Sequence, residues 1–505
     1  MRRPSARSPR ALAAGLLLLL PPGCAGTPRA GDTAAAPRPN VLFIAIDDLR
    51  ADHTDALEGG TPMPRVRAFA RTAAEFREHH VQAPSCGPSR AALLTGRDPG
   101  RSRALQNNAL HGGPSRLSVD ATGGARTLPE LMRRNGLTTT CIGKISHTPD
   151  GRVYAYDGSG DGRDELPDAW DELLTPFGPW GRGWGAFFAY PGGAHREDGK
   201  SSAPLVAASG PDLSPLPDEL IADAACERIE RFSATGERFF LAVGFFKPHL
   251  PWVAPEHDLE ANEGRATTPS ATRVKTPYLH GSGEFRRYDA PWGEGLPAPG
   301  SRGEEQARGA YAACARFTDR QVGRVLDALE EAGLAESTVV VLWSDHGFHL
   351  GESGVWGKHT LLDRSLHSPM MIRAPGVTVP GPRDGLAATV DLYPTLVELC
   401  ALEDRATRHP LDGVDLGPAL RDPRASVREV TTAYWGRAAT ARSRDHRLLA
   451  RWREGEWRDL RLIDATRPDP TEEELTTGVS PEDEIPARLL GHLVPPPGGS
   501  RAKSD

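Results

Sequence analysis

The chain has 505 residues, ordinary charged and apolar fractions and a net charge of −7, a length that suits two to three domains or one large α/β domain with an appendage. Residues 1–23 hold Arg2, Arg3, Arg7 and Arg10 and no acid, so the remainder is more acidic than the whole. That argues against nucleic-acid binding, which runs on basic surface, and an anionic substrate must then be drawn by a local cluster of cations.

The four arginines precede an apolar run from Ala11 to Leu20 and then small residues, the pattern of an export signal. The run is too short to span a bilayer as a mature helix. Cys24 after Gly23 fits a lipoprotein cleavage site, but Pro21 stands where such sites prefer leucine. Plain export to the periplasm or beyond is the leading expectation, and a lipid anchor on Cys24 the alternative. Residues 25–39 are small, polar and proline-rich and read as a disordered tether. Val41 to Ile46 is continuously apolar, the mark of a strand buried on both faces, and it ends in Asp47-Asp48. Adjacent carboxylates there repel each other and lose hydration unless a cation lies between them. Ligands of open α/β sheets also gather at the carboxyl ends of strands; a plain acidic loop is the other reading.

Val66, Phe69, Ala70, Ala73 and Phe76 recur at helical spacing and predict a helix, followed by a short extended piece whose His79-His80 reads as structural. Next comes Cys86-Gly87-Pro88-Ser89-Arg90, running through Ala91-Ala92-Leu93-Leu94-Thr95 to Gly96. Pro88 suits a first helical turn. Cys86 then lies at a helix mouth, where free N–H groups and the dipole favour an anion, with Arg90 one turn further in. Thr127 to Asn135 reads as a helix stopped by Gly136, and Leu137 to Ile142 as a strand entering Gly143-Lys144-Ile145-Ser146-His147. Residues 150–215 are rich in Gly, Pro and Asp and read as a long surface excursion. Trp180, Trp184, Phe187, Phe188 and Tyr190 within it could stack on a sugar ring, although burying the loop's own side chains is the favoured use.

Leu220 to Phe232 is an amphipathic helix, and Phe239 to Phe246 a buried strand ending in Lys247-Pro248-His249. Residues 255–303 lack periodicity. Ala307 to Leu329 is a long helix, and Val339 to Trp343 a strand ending in Ser344-Asp345-His346-Gly347. Gly351, Gly354 and Gly357 make a pliable loop carrying Trp356 and Lys358. Pro369 to Arg373 is a further strand and Asp391 to Leu402 a helix. This alternation predicts an α/β fold with a large, mainly parallel or mixed sheet sandwiched by helices. From about residue 425, Arg428–Tyr434, His446–Trp452 and Trp457–Ile463 predict a small antiparallel α+β subdomain. The expected division is 1–39 signal and tether, 40–410 catalytic domain, 411–494 C-terminal subdomain and 495–505 disordered tail. Cys141, Cys226, Cys314 and Cys400 sit among apolar neighbours and read as buried free thiols, with a disulfide among some of them open in an exported protein.

Asp47, Asp48, Asp345 and His346 are potential ligands at the ends of two buried strands. Oxygen donors select Ca²⁺ or Mg²⁺; the imidazole alone points to a softer metal. The Cys86-x-Pro88-Ser89-Arg90 run with Thr95-Gly96 resembles the signature of the sulfatase family. Gly143-Lys144-x-x-His147, Lys247-Pro248-His249, Ser344-Asp345-His346-Gly347 and Gly351-Glu352-x-Gly354-x-Trp356-x-Lys358 look like its iduronate-2-sulfatase-like branch, a similarity running from Asn40 to about Leu402.

The resemblance implies an alkaline-phosphatase-like fold and hydrolysis of a sulfate ester, on a sulfated carbohydrate of the uronate 2-sulfate type. It implies Ca²⁺, with Mg²⁺ as the alternative, held by Asp47, Asp48, Asp345, His346 and the modified residue 86. It also implies a maturing enzyme that oxidises Cys86 to formylglycine on the unfolded chain, the hydrated aldehyde being the nucleophile. Arg90, Lys144 and Lys358 would hold the sulfate, His249 would protonate the leaving alcohol and His147 would take the proton that releases sulfate. Lys247 reads either as a substrate contact or as a solvated neighbour. Phe348-His349 and a shorter C-terminal region depart from the human-type members, which points to a different substrate pocket. The rivals are a phosphodiesterase or phosphonate monoester hydrolase of the same superfamily, a choline sulfatase, and a non-catalytic protein that binds sulfated glycans.

Overall fold

The computed structural model describes residues 38–54, 63–111, 124–264 and 274–496, apart from 177, 182, 200–201, 211–214, 280, 294 and 468. The expected signal, Cys24, nearly all of the tether and most of the expected tail lie outside the described residues.

Among the described residues eight strands form the central sheet: β1 (Asn40–Ile46), β2 (Ala74–His80), β3 (Thr138–Gly143), β4 (Glu172–Leu174), β5 (Phe239–Phe245), β6 (Thr338–Ser344), β7 (Met370–Arg373) and β8 (Gly381–Ala388). Their order across the sheet is β8-β2-β7-β6-β1-β5-β3-β4. All neighbours pair parallel except β7, which runs antiparallel to both β6 and β2. The sheet is therefore mixed but dominated by parallel pairing, as the runs of apolar residues predict.

β1 shows why both faces need cover. Val41, Phe43 and Ala45 enter one apolar core with Leu131 and Met132 of α3 (Leu128–Arg134), Leu93 and Leu94 of α2 (Cys86–Thr95) and Leu396 of α6 (Leu392–Leu399). Leu42, Ile44 and Ile46 enter the other core, beneath α1 (Pro64–Ala70), α4 (Pro217–Thr235) and α5 (Arg302–Glu331). Period-two alternation in a strand thus splits one apolar run between two helical layers.

The helix expected through Phe76 ends at Ala70, and Phe76 belongs to β2 instead. Ala74-Glu75-Phe76-Arg77 alternates like a strand, and pairing between β7 and β8 overrides the helical spacing. The helix Glu256–Asn262 falls in a stretch that shows no periodicity in sequence. β8 likewise escapes notice, since Gly381, Pro382 and Gly385 read as a loop and the strand is tolerated at the sheet edge.

Beyond the central sheet, β9 (Thr431–Trp435), β10 (Ala438–Arg442), β11 (His446–Arg453) and β12 (Glu456–Asp464) form an antiparallel meander. One face packs Ala433, Leu449 and Ile463 against Val81, Leu361 and Leu366, and the other carries Leu489 of a short helix. The described residues form one compact unit. Cys141, Cys226, Cys314 and Cys400 are free thiols; Cys226 is half-buried and the others are buried.

His79 on β2 is fully buried, with Nδ1 at 2.9 Å from the Ser368 carbonyl and Nε2 at 3.0 Å from the Thr389 hydroxyl. Burial pushes its pKa down to about 3. A neutral folded imidazole that protonates near pH 6.5 when unfolded stabilises fully above pH 6.5 and loses that contribution as pH falls toward 3, by about 3 kcal/mol at pH 4. In urea unfolding at several pH values, His79→Gln should therefore show a shallower loss of stability than the native chain between pH 6.5 and 4. Parallel pH profiles would contradict this.

Candidate active site

β6, β1, β5 and β3 are adjacent and parallel, so their carboxyl ends open on one edge of the sheet. Asp345-His346 follows β6, Asp47-Asp48 follows β1, Lys247-Pro248-His249 follows β5 and Lys144 follows β3. The amino end of α2 brings Cys86 to the same place. β5 and β3 approach closely where Lys144 leaves: a Cβ on Gly244 would lie 2.1 Å from the Lys144 carbonyl oxygen.

Donor atoms of Asp47, Asp48, Cys86, Asp345 and His346 all lie within 4.8 Å of one another, and all five residues are buried. The Cys86 Sγ is 3.5 Å from Asp47 Oδ1, 3.3 Å from His346 Nε2 and 3.3 Å from Lys358 Nζ. Gly87 allows this approach, because a Cβ there would meet the Asn107 backbone at 2.3 Å, and its N–H donates to Asn107 Oδ1. Asp48 takes a left-handed φ of 63°, a strained choice for a non-glycine. It is held by its N–H donating to Asp345 Oδ1 and by the Tyr311 hydroxyl of α5 donating to its carbonyl.

Three cations offset the three carboxylates. Lys144 Nζ lies 2.5 Å from Asp47 Oδ2, Lys358 Nζ 2.9 Å from Asp48 Oδ1 and Arg90 Nε 2.9 Å from Asp345 Oδ2. Burial alone would push the Asp47 carboxyl up, but Lys144, His249, Arg90 and Lys358 together hold it well below the usual range. For Asp48 burial wins over Lys358, His249 and His346, and its pKa is raised. Burial and the Asp47 charge push the Cys86 thiol well above its ordinary value, which disfavours the thiolate.

Arg90, expected among the groups that hold sulfate, is placed differently. It is fully buried, donates to the Lys144 and Ile145 carbonyls as well as to Asp345, and does not line the cavity above Cys86. Its contacts orient the carboxylates. Lys144 and Lys358 do line that cavity, as do His147 and His249. The His147 Nδ1 has no hydrogen-bond partner among the described residues. Burial, then Lys144, push its pKa well down. His249 Nδ1 sits 2.6 Å from the Leu250 carbonyl, which fixes the proton there and turns Nε2 toward Glu284 Oε1 at 3.7 Å and Asp48 Oδ2 at 4.0 Å. Lys247 does not line the cavity. It is buried and its Nζ donates to the carbonyls of His249 and Pro251, bracing the loop that carries His249. Asp218 accepts N–H bonds from Phe246 and Lys247 on the same loop, its pKa pushed up to about 6 by burial.

The cavity measures about 290 Å³. Trp184, Phe187 and Phe188 from the excursion are nearly fully buried yet form one wall, with Lys144 Nζ 4.2 Å from the Phe187 ring centre. Burial of the loop's own side chains, the favoured use, is what the structure shows for these aromatics. Sequence reasoning missed Tyr156, Arg196, Glu284, Arg287 and Tyr288, which line the same cavity. They lie in the two aperiodic stretches, where no local pattern sets one polar residue apart from the next. His359 also lines it, at a φ of 75°, stacked on Trp435 of β9 at 4.4 Å. Phe348 and His349 are buried outside the cavity.

The donor set could hold a metal ion. The Gly347 carbonyl, 2.9 Å from His346 Nδ1, fixes the proton on that nitrogen and leaves the Nε2 lone pair 3.3 Å from Asp48 Oδ1. A cation between them would be coordinated by both atoms.

The sulfatase family model matches residues 39–401. A sulfatase of Formosa agariphila is 31% identical over 397 residues, 72% of this chain and 70% of that protein. Iduronate 2-sulfatase of Mus musculus is 29% identical over 367 residues, 68% of this chain and 61% of that protein. Among solved structures, the sulfatase yidJ of Bacteroides fragilis superposes with a TM-score of 0.66 at 19% identity, over 92% of this chain and 96% of its own. The phosphonate monoester hydrolase of Silicibacter pomeroyi gives 0.65 at 23% identity, over 90% and 93%. At such identities the structures speak for the alkaline-phosphatase-like fold alone. The length of the family match, with an identity above 30% over most of the chain, makes this protein a member of the sulfatase family, enzymes that hydrolyse sulfate esters.

Proposed function

We propose that this enzyme cleaves a sulfate ester on a sulfated carbohydrate, of the uronate 2-sulfate type, with residue 86 acting as formylglycine and Ca²⁺ or Mg²⁺ held by Asp47, Asp48, Asp345 and His346. The observation that carries this reading is Cys86 at the floor of a cavity, within reach of three carboxylates, His346 and Lys358, with two histidines in the walls above. A divalent cation held by these residues would polarise a sulfate oxygen, and residue 86 as a hydrated aldehyde would supply the hydroxyl that attacks sulfur.

The chain's own residues do the rest. Lys144 and Lys358 line the floor and offset charge developing on the sulfate oxygens. His249, with its Nδ1 proton engaged by Leu250, presents Nε2 to the cavity and delivers a proton to the leaving alcohol oxygen. His147 is neutral and accepts, on a ring nitrogen, the proton whose removal at residue 86 expels sulfate. Arg90 holds Asp345 and Asp47 in place. Cys86 is 3% exposed in the folded chain, which supports oxidation of the unfolded chain by a maturing enzyme. No helix among the described residues is long and apolar enough to cross a membrane. The arginine-led apolar leader supports export, with anchoring through Cys24 as the variant.

Mass spectrometry of the peptide spanning Cys86, from protein made with a maturing enzyme, should show loss of sulfur and gain of an aldehyde. That material should turn over an aryl sulfate faster than an aryl phosphate diester. An unmodified thiol in active protein would overturn the formylglycine reading, and the opposite substrate preference would favour the phosphodiesterase or phosphonate hydrolase reading.

His249→Gln should lower kcat for an alkyl sulfate by about 10²- to 10⁴-fold. The loss should be much smaller for an aryl sulfate, whose leaving group needs no proton. An unchanged rate on the alkyl ester would remove His249 from the role of acid.

A further inference from the structure

The cations deep in the cavity each face an anion. Lys144 lies on Asp47, Lys358 on Asp48 and Glu284, and Arg196 on Glu197. Arg287 lines the same cavity, yet among the described residues it forms no ion pair with a carboxylate; its guanidinium lies 5.7 Å from the Tyr156 ring centre and acts electrostatically on Tyr288. An exposed arginine is ordinary on a protein surface. This one stands at the outer end of a continuous aromatic wall. Phe187, beside Lys144, packs edge-on to Trp184, and Trp184 packs edge-on to Tyr156 at 4.7 Å. Tyr156 is 40% exposed. Arg196, which also lines the cavity, sits 5.3 Å from the same ring and 3.5 Å from the Phe188 ring centre.

A polar-edged ring with C–H faces fits such a wall, and its far substituent then meets the uncompensated guanidinium. We propose that Arg287 is a specificity-determining residue that pairs with a second anionic group, a carboxylate or a further sulfate ester, on the sugar whose sulfate is cleaved. Tyr156 is the face against which that sugar lies. This rests on the sulfate-ester reading above and names the substrate class of the same site. A guanidinium suits both anions, because its paired N–H donors match two oxygens of either group.

The test compares wild-type enzyme with Arg287→Gln and Arg287→Lys, all matured to the aldehyde. Three substrates are used: an aryl sulfate with no second anion, a sulfated uronic acid and a hexosamine disulfate. In Arg287→Gln the ratio of kcat/KM for the doubly anionic sugars to that for the aryl sulfate should fall about tenfold, carried by KM rather than kcat. Arg287→Lys should restore part of it, and the wild-type preference should shrink in high salt. A fall confined to the uronate identifies a carboxylate, and one confined to the disulfate identifies a sulfate ester. An unchanged ratio overturns the role of Arg287 while wild-type turnover of aryl sulfate still stands. A matured wild type that cleaves no sulfate ester at all overturns the underlying reading, and this inference with it.

Discussion

Three carboxylates with no solvent exposure, Asp47, Asp48 and Asp345, meet at the ends of two adjacent buried strands, and the rest of the structure answers to that. Buried charges of one sign are tolerated only when opposite charges and hydrogen bonds surround them. Lys144, Lys358 and Arg90 are brought in from three other places in the chain, and Tyr311 and Ser344 fix the backbone between. The balance is close to neutral among the side chains alone. A divalent cation held there would tip it positive and favour an anionic sulfate ester in a protein whose net charge is negative.

Parallel pairing makes this concentration of charge achievable. Because β6, β1, β5 and β3 run the same way, every loop that leaves their carboxyl ends emerges on one side. Close strand approach at Gly244 and the bracing of the β5 loop by Asp218 and Lys247 then set the position of Lys144 and His249. The position of His249 is thus set partly by residues that do not line the cavity.

The outer cavity is built from less regular parts. The aromatic excursion supplies one wall, and the segment around Glu284 and Arg287 the other. The C-terminal meander reaches in through Trp435, on which His359 stacks. The left-handed backbone at His359, next to Lys358, is sustained by that stack and by a bond from its N–H to the Pro84 carbonyl. Floor and walls therefore come from different layers of the fold, which lets the walls vary while the floor keeps its chemistry.

The sequence by itself determined the parts whose cause is local. Apolar runs ending in Asp47-Asp48 and Asp345-His346, and Pro88 in the first turn after Cys86, place chemistry at strand ends and at a helix mouth. Nearest-neighbour sterics and burial suffice for that. Tertiary structure decided whatever depends on pairing over distance. It put Phe76 in a strand rather than a helix, made Gly381–Ala388 an edge strand, turned Arg90 toward carboxylates instead of the cavity and gave Lys247 a bracing role. It also recruited Tyr156, Glu284 and Arg287 from stretches with no periodicity. A side chain's partner is set by which strands lie side by side and where loops close, and no local spacing along the chain encodes that geometry.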